Sequence, residues 1–96
     1  MQINHITRRP YERGNQAMLA EQKAACLYQS DEWLTFRQAR AVGRTVKKGE
    51  HGIILGRVLE DRDEQTNRKR RAFKRFVVFN LDQTLPANVH DYAPSM

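Results

Sequence analysis

The sequence predicts an α+β fold in which two N-terminal helices pack on a small antiparallel β-sheet that carries a long basic hairpin loop. Three observations support this prediction. Apolar residues recur at helical spacing up to about residue 28, a second and shorter helical segment closes at a glycine, and the chain beyond it is rich in β-branched residues. With 96 residues, of which 40% are hydrophobic, the chain fits one small core.

The first helix is predicted over residues 16–28, with Asn15 as its N-cap. Helical spacing places one apolar stripe on Ala17, Ala20, Ala24 and Leu27. Because this stripe is mostly alanine, we expect a neighbouring element to approach it closely. Cys26 is expected to pack there as a small side chain rather than to act as a nucleophile.

The second helix is predicted over residues 36–42. Thr35 and Gln38 have the spacing of a capping box, and Gly43 supplies a left-handed stop. The same spacing turns one set of side chains inward, namely Phe36, Ala39 and Val42. It leaves the arginines outside, namely Arg37, Arg40 and Arg44.

The segments RTV, GIILGRVLE and AFKRFVVFN have the composition of β-strands. The interval EDRDEQTNRKRR, with Thr66 and Asn67 at its centre, is predicted to be a long loop between antiparallel strands. In the last strand Phe73, Val77 and Phe79 share one face. We expect one face of this strand to cover the core and the other to be available for binding.

Three segments follow from this pattern: an N-terminal arm over residues 1–14, one domain over 15–85 and an irregular tail over 86–96. The single cysteine excludes an internal disulfide and a cysteine pair for a metal. We therefore expect no metal and no cofactor. No signal peptide or membrane span is recognisable, so a cytoplasmic protein is expected. We also expect a monomer.

Charge is distributed unevenly along the chain. The formal net charge is +6, but residues 1–75 carry +8 and the remaining residues carry −2. Such a basic body favours a polyanionic partner, most simply nucleic acid. The alternative is a soluble basic protein without a polyanion function.

A nucleic-acid surface requires cations that converge and aromatic platforms for bases. Most aromatic rings must form the core, and Tyr11 and Phe76 are predicted as the exceptions. The segment NRKRR could instead be a solvated loop that balances nearby acids. The predicted DNA-binding residues are Arg9, Tyr11, Arg37, Arg44, Lys47, Lys48, Arg57, Arg68, Lys69, Arg70, Arg71, Lys74, Arg75 and Phe76.

No catalytic residues are predicted, because His5, His51 and His90 are scattered and no HExxH helix is present. Two alternatives stay open. One is a small RelE-like ribonuclease toxin that would use the C-terminal HDY, including His90 and Tyr92. The other is a protein inhibitor of a nuclease or restriction enzyme.

The segment SDEWLTFRQARAVGRTVKKGEHGIIL resembles the N-terminal domain of ArdC-type antirestriction proteins, which is shared with TraC-type plasmid primases. The family pattern W-x-T-x-x-Q-A followed by G-x-x-V-[RK]-K-G-E-x-G is met from Trp33 to Gly52. RPYERGNQAML is similar to an upstream family motif, and VVFNLDQT is similar to the family's VFNVEQT. The resemblance covers residues 9–84.

This resemblance implies single-stranded DNA binding in systems that move DNA between bacterial cells and protect it. Longer relatives continue into a metallopeptidase-like or a primase domain, neither of which is recognisable here. We therefore expect a free-standing, non-enzymatic protein that binds single-stranded DNA with little sequence preference. RNA and a protein partner in DNA transfer or replication are further partners to consider. The segment VKKGEHGI is predicted to be a structural turn that presents Lys47 and Lys48 to DNA.

Overall fold

The computed structural model describes residues 1–88 and has an α+β fold with two helices, as predicted. A one-turn 3-10 helix, Leu81–Gln83, precedes the last strand. The other elements are β1 (Ile3–Asn4), α1 (Arg13–Cys26), β2 (Glu32–Leu34), α2 (Phe36–Ala41), β3 (Arg44–Val46), β4 (Ile53–Arg62), β5 (Lys69–Asn80) and β6 (Thr84–Pro86).

Two sheets organise the domain. The larger has the strand order β1-β2-β5-β4, and a separate two-stranded antiparallel sheet pairs β3 with β6. The prediction of a purely antiparallel sheet is wrong, because β1 runs parallel to β2 with Ile3 opposite Glu32. A strand of two residues has no periodicity that a sequence could display.

Helix α1 begins at Arg13, three residues before the predicted start, and its orientation differs from the predicted one. Leu19 is fully buried, whereas the alanines of the predicted stripe and Cys26 are exposed. Asn15 is not the N-cap but lies inside the helix, where its Nδ2 donates to the carbonyl oxygen of Gly56 at 2.9 Å. This contact and Leu19 determine which face of α1 meets the sheet.

Helix α2 has the predicted capping box: the Thr35 side chain accepts from the Gln38 backbone amide, and the Gln38 side chain accepts from that of Thr35. Gly43 has the predicted left-handed conformation, with φ 73°. The inward face is narrower than predicted, because Ala39 is buried while Phe36 and Val42 are about half exposed. A helix of six residues presents little more than one side chain to the core.

A core cluster of Leu19, Trp33, Leu55 and Val78 lies between α1 and the inner face of the larger sheet. Leu34 and Ala39 are also buried. Trp33 is fully buried, and its indole Nε1 donates to Gln2 Oε1 at 2.6 Å. Tyr28 meets the indole edge-on, with ring centroids 6.0 Å apart. Partial burial of the phenol, with a hydrogen bond to Cys26, raises the pKa of Tyr28 to about 12.

Strands β4 and β5 form a hairpin of ten consecutive residue pairs, from Ile53 opposite Val78 to Arg62 opposite Lys69. Half of the predicted loop over 60–71 is therefore strand, namely residues 60–62 and 69–71. The connection is confined to residues 63–68, where the Asp63 amide donates to the Arg68 carbonyl and Asn67 adopts φ 56°. Both faces of this part of the hairpin lie in solvent. Its charged side chains therefore show no alternation of apolar and polar residues by which the sequence could indicate a strand.

The N-terminal segment is part of the fold. Besides β1, an isolated antiparallel bridge joins Ile3 to Pro10, so residues predicted as an arm supply a strand and the first two residues of α1. At the other end, β6 extends to Pro86, and the rest of the predicted tail beyond residue 88 lies outside the described residues. No helix in the described part of the chain is long and apolar enough to cross a membrane.

Candidate nucleic-acid interface

The distal part of the hairpin, residues 57–75, contains eight Lys and Arg residues and four acids. We call this segment the basic hairpin. Leu59 is partly covered, but every Lys and Arg on the basic hairpin is exposed. The ion pairs found within residues 1–88 join His5 and Arg8 to Glu32 and Lys23 to Asp31, so none involves the basic hairpin. Its cations are therefore available to an external anion.

The cations of the basic hairpin occupy both of its faces, because side chains alternate along a strand and directly opposed residues share a face. The outer face, which we define as the side of β4–β5 turned away from the core, carries Arg62, Lys69, Arg71 and Arg75, with Glu60 as its acid. The face continuous with the core carries Arg57, Arg70 and Lys74, with Asp61 as its acid. The sequence predicted convergence on one groove, whereas the hairpin divides the cations between two sides.

Apolar side chains accompany the cations on the outer face. Ile54, Val58, Phe73 and Val77 are 59, 54, 64 and 42% exposed. The register places Ile54 opposite Val77 and Val58 opposite Phe73, so the four form one strip along the two strands. This strip is an uncovered apolar surface that is flanked by positive charge.

The segment VKKGEHGI forms the predicted turn. The Glu50 amide donates to the Lys47 carbonyl at 3.2 Å, and Gly49 has φ 84°, which other residues resist. A side chain at Gly52 would meet Val77 Cγ1 and lie 2.8 Å from the Val78 carbonyl oxygen, so only glycine fits. Lys47 is half-buried and Lys48 is exposed at this turn.

Glu50 is held by a side chain far along the chain. The Gln83 Nε2 donates to Glu50 Oε1 at 3.0 Å and to the His51 carbonyl at 2.9 Å, while Gln83 Oε1 accepts from the Asn80 amide at 2.8 Å. Gln83 is 3% exposed, and Asn80 is fully buried with its Nδ2 donating to the Ser30 carbonyl. This polar network connects the turn to the end of β5.

Arg44 also takes part in holding the structure together. Its Nε donates to Thr84 Oγ1 at 2.7 Å, and its Nη2 donates to the Thr84 carbonyl at 3.2 Å. The guanidinium is half-buried against β6 rather than turned outward as predicted. No local sequence pattern indicates this partner, because Thr84 is forty residues away.

The two aromatic residues predicted to stand outside the core both pack against it. The Tyr11 hydroxyl accepts from Asn4 Nδ2 at 2.9 Å, and burial raises the pKa of this phenol. Phe76 lies opposite Leu55, on the core side of the hairpin. The exposed phenylalanines are instead Phe73, on the outer face, and Phe36, whose ring lies 5.9 Å from the Arg40 guanidinium carbon.

The remaining predicted binding residues lie on other elements. Arg9 is exposed in the turn between β1 and α1, and Arg37 is exposed on α2. The structure therefore gathers the largest group of predicted residues on the basic hairpin, namely Arg57, Arg68, Lys69, Arg70, Arg71, Lys74 and Arg75.

Catalytic geometry is not found in the part of the chain that the structure describes. His5 Nδ1 is 2.7 Å from Glu32 Oε1 at the surface, and His51 is exposed in the turn. No group of three or more His, Cys, Asp or Glu side chains within residues 1–88 could hold a metal ion. His90 and Tyr92, which the ribonuclease alternative requires, lie outside the described residues.

The family model described as the N-terminal domain of anti-restriction factor ArdC matches residues 1–79. The chain belongs to the ArdC N-terminal domain family. Comparison with curated protein sequences gave no match.

Two solved structures share the fold. The metal-free crystal structure of the antirestriction protein ArdC from plasmid R388 is 35% identical, with a TM-score of 0.75 over 94% of this chain. The Mn(II)-bound structure of that protein is 31% identical, with a TM-score of 0.74 over 88%. The chain spans about a third of the length of these ArdC chains, 35% and 34% respectively.

The motifs that resemble the ArdC family contain residues that stabilise the fold. Trp33 is core, Thr35 and Gln38 cap α2, and Glu50 accepts from Gln83. Gln38 also accepts from Asn4 Nδ2 at 2.9 Å, which connects α2 to β1. These contacts give the motif residues a structural role in this chain without requiring any of them to contact a ligand.

Proposed function

We propose that this ArdC-type domain binds single-stranded DNA without catalysis and with little sequence preference. The observation that supports the proposal most strongly is the basic hairpin, with eight Lys and Arg residues among residues 57–75, none of them in the ion pairs described above. Each phosphate that a Lys or Arg neutralises releases counterions, so contacts along one hairpin add up.

The apolar strip favours single strands over duplex as the ligand. The bases of a duplex are stacked on each other, whereas those of a single strand have free faces that pack on apolar and aromatic side chains. The outer face provides both kinds of contact, because Phe73 and Val58 lie between Arg71 and Arg75. Backbone phosphates and stacked bases are common to all sequences, so little sequence preference follows.

The biological setting we propose is the handling or protection of mobile DNA. It rests on membership of the ArdC family and on the antirestriction proteins that share the fold. The turn at Lys47 and Lys48 supplies a second basic contact, and Arg9 and Arg37 extend the predicted surface. A single described chain is sufficient for this surface, and we propose that a monomer in the cytoplasm carries it.

Fluorescence anisotropy with labelled oligonucleotides tests the proposal. We expect binding to oligothymidylate that weakens with salt, with a slope of about 0.7 per contacted phosphate. A duplex of the same length should bind more weakly. Tighter binding to duplex than to single strand would contradict the proposal, and tighter binding to oligouridylate would shift it to RNA.

A further inference from the structure

Phe73 has an unusual position for a phenylalanine in a small domain, because 64% of its surface is exposed. Its ring lies over Gly56 of the neighbouring strand. A Cβ at Gly56 would stand 2.9 Å from Phe73 Cε2 and 3.2 Å from Cε1, and closer still to Cζ. Because Gly56 has no side chain, the Phe73 ring packs directly on the backbone there while much of its surface stays in solvent.

Two arginines stand on either side of this ring. Arg71 and Arg75 are two residues before and after Phe73, so the alternation of a strand places all three on the outer face. Arg75 is directly opposite Gly56, the residue on which the Phe73 ring packs. Glu60, opposite Arg71, is the one acid on the outer face of β4–β5, against four cations.

We infer that Phe73 is the platform on which a base of single-stranded DNA stacks, with Arg71 and Arg75 neutralising the flanking phosphates. This inference rests on the proposed function and assigns its base contact. It differs from the sequence prediction, which gave that role to Tyr11 and Phe76. Both of those rings pack against the core, so neither offers a free face like that of Phe73.

The charge of the outer face favours a nucleic acid over a protein as the occupant. A protein interface is commonly depleted of charge at its centre. Here the most exposed member of the apolar strip is flanked by arginines on its own strand, with Lys69 and Arg62 further along the same face. Base faces with phosphates on both sides complement this arrangement.

The test compares Phe73→Leu, which keeps an apolar side chain but removes the ring, with Phe36→Leu as the matched control. Phe36 is also exposed, and also lies beside an arginine, but on α2. Each variant is titrated with oligothymidylate and with an abasic oligonucleotide of equal length, which has the same phosphates and no bases. Phe73→Trp serves as the variant that retains stacking, and circular dichroism checks the fold.

We expect Phe73→Leu to weaken oligothymidylate binding by about fivefold or more, as removal of one stacked base does. Its affinity for the abasic strand and its salt slope should stay unchanged. Phe36→Leu should alter neither, and Phe73→Trp should bind at least as well as the parent.

Three results would overturn the inference. Unchanged oligothymidylate affinity in Phe73→Leu would refute stacking but leave the proposed function intact, and would assign the apolar strip to another occupant such as a protein. An equal loss for both oligonucleotides would show that Phe73 acts only through the shape of the hairpin. No binding by the parent protein would refute both the stacking and the proposed function.

Discussion

The motif region, which comprises the motif segments 9–19, 30–55 and 77–84, and the basic hairpin use their polar side chains in opposite ways. In the motif region, Gln83, Asn80, Gln38 and Glu50 are joined to one another or to the backbone by hydrogen bonds. No buried side-chain nitrogen or oxygen within residues 1–88 lacks a partner. On the basic hairpin, the cations are exposed and are not paired with acids within salt-bridge distance.

This difference separates the buried polar residues of the family motifs from the exposed cations that we propose bind DNA. A buried amide that loses its partner costs free energy, so polar residues of the motif region cannot change independently. Exposed cations contribute little to folding, because surface charges interact weakly in water. Substitutions should therefore divide into those that unfold the domain and those that weaken binding.

The largest expected effect is on stability. Gln83→Ala removes hydrogen bonds to Glu50, His51 and Asn80 and leaves the buried Asn80 amide without its partner. We expect the free energy of unfolding to fall by about 3 kcal/mol. Urea denaturation followed by Trp33 fluorescence measures this change. Gln65→Ala, in the exposed hairpin connection, is the control and should change stability by less than about 0.5 kcal/mol.

The next effect should appear in binding alone. The quadruple variant Lys69→Gln, Arg70→Gln, Arg71→Gln and Arg75→Gln loses four cations from the basic hairpin. We expect affinity for single-stranded DNA to fall on the order of 100-fold and the salt slope to fall by about 0.7 for each lost contact. Anisotropy titrations measure both. An unfolding midpoint that drops as far as that of Gln83→Ala would erase the distinction between the two regions.

The turn at Lys47 and Lys48 belongs to the motif region, but we propose that its two lysines contact DNA, so it tests both roles within one segment. Lys47→Ala with Lys48→Ala keeps Gly49 and Gly52, which hold the turn, and removes two cations. We expect affinity for single-stranded DNA to fall on the order of tenfold with a reduced salt slope. Stability should remain close to that of the parent. If the double variant is less stable but its folded fraction binds DNA with the affinity of the parent, these lysines stabilise the fold instead of contacting DNA.

The smallest effect concerns acid stability of the motif region. Hydrogen bonds from His5 and Arg8 hold the pKa of Glu32 below its ordinary value. A lowered carboxyl pKa stabilises the fold above the ordinary pKa of about 4.3, and this contribution disappears as pH falls through the lower folded pKa. Because the pair is at the surface, we expect it to contribute less than about 1 kcal/mol. In Glu32→Gln, the melting temperature should decline less between about pH 7 and about pH 3 than in the parent.

Local patterns were predictable from the sequence wherever they depend on near neighbours. The capping box at Thr35 and Gln38, the left-handed Gly43 and the change from helix to strand all depend on residues a few positions apart. The family was likewise identifiable from motifs of this kind. The partnership of Glu50 with Gln83 spans 33 positions, so no local pattern reveals it.

The site was harder to predict than the fold for a physical reason. Period-two alternation distinguishes two faces of β5, but it does not tell which face the core covers. The sequence therefore predicts an exposed Phe76, whereas the structure exposes Phe73. The orientation of α1 also depends on a distant contact, that of Asn15 with Gly56. The contact between the Phe73 ring and Gly56 depends on the register of the hairpin, which no local sequence pattern indicates.

The most direct test of the division between the two regions is a two-dimensional ¹H–¹⁵N NMR titration of the labelled protein with oligothymidylate. We predict that chemical-shift changes concentrate on the amide signals of residues 57–75, with smaller changes at Lys47 and Lys48. The amide signals of Asn80 and Gln83 should not shift. Changes centred on the buried polar network, with the basic hairpin unaffected, would contradict the account.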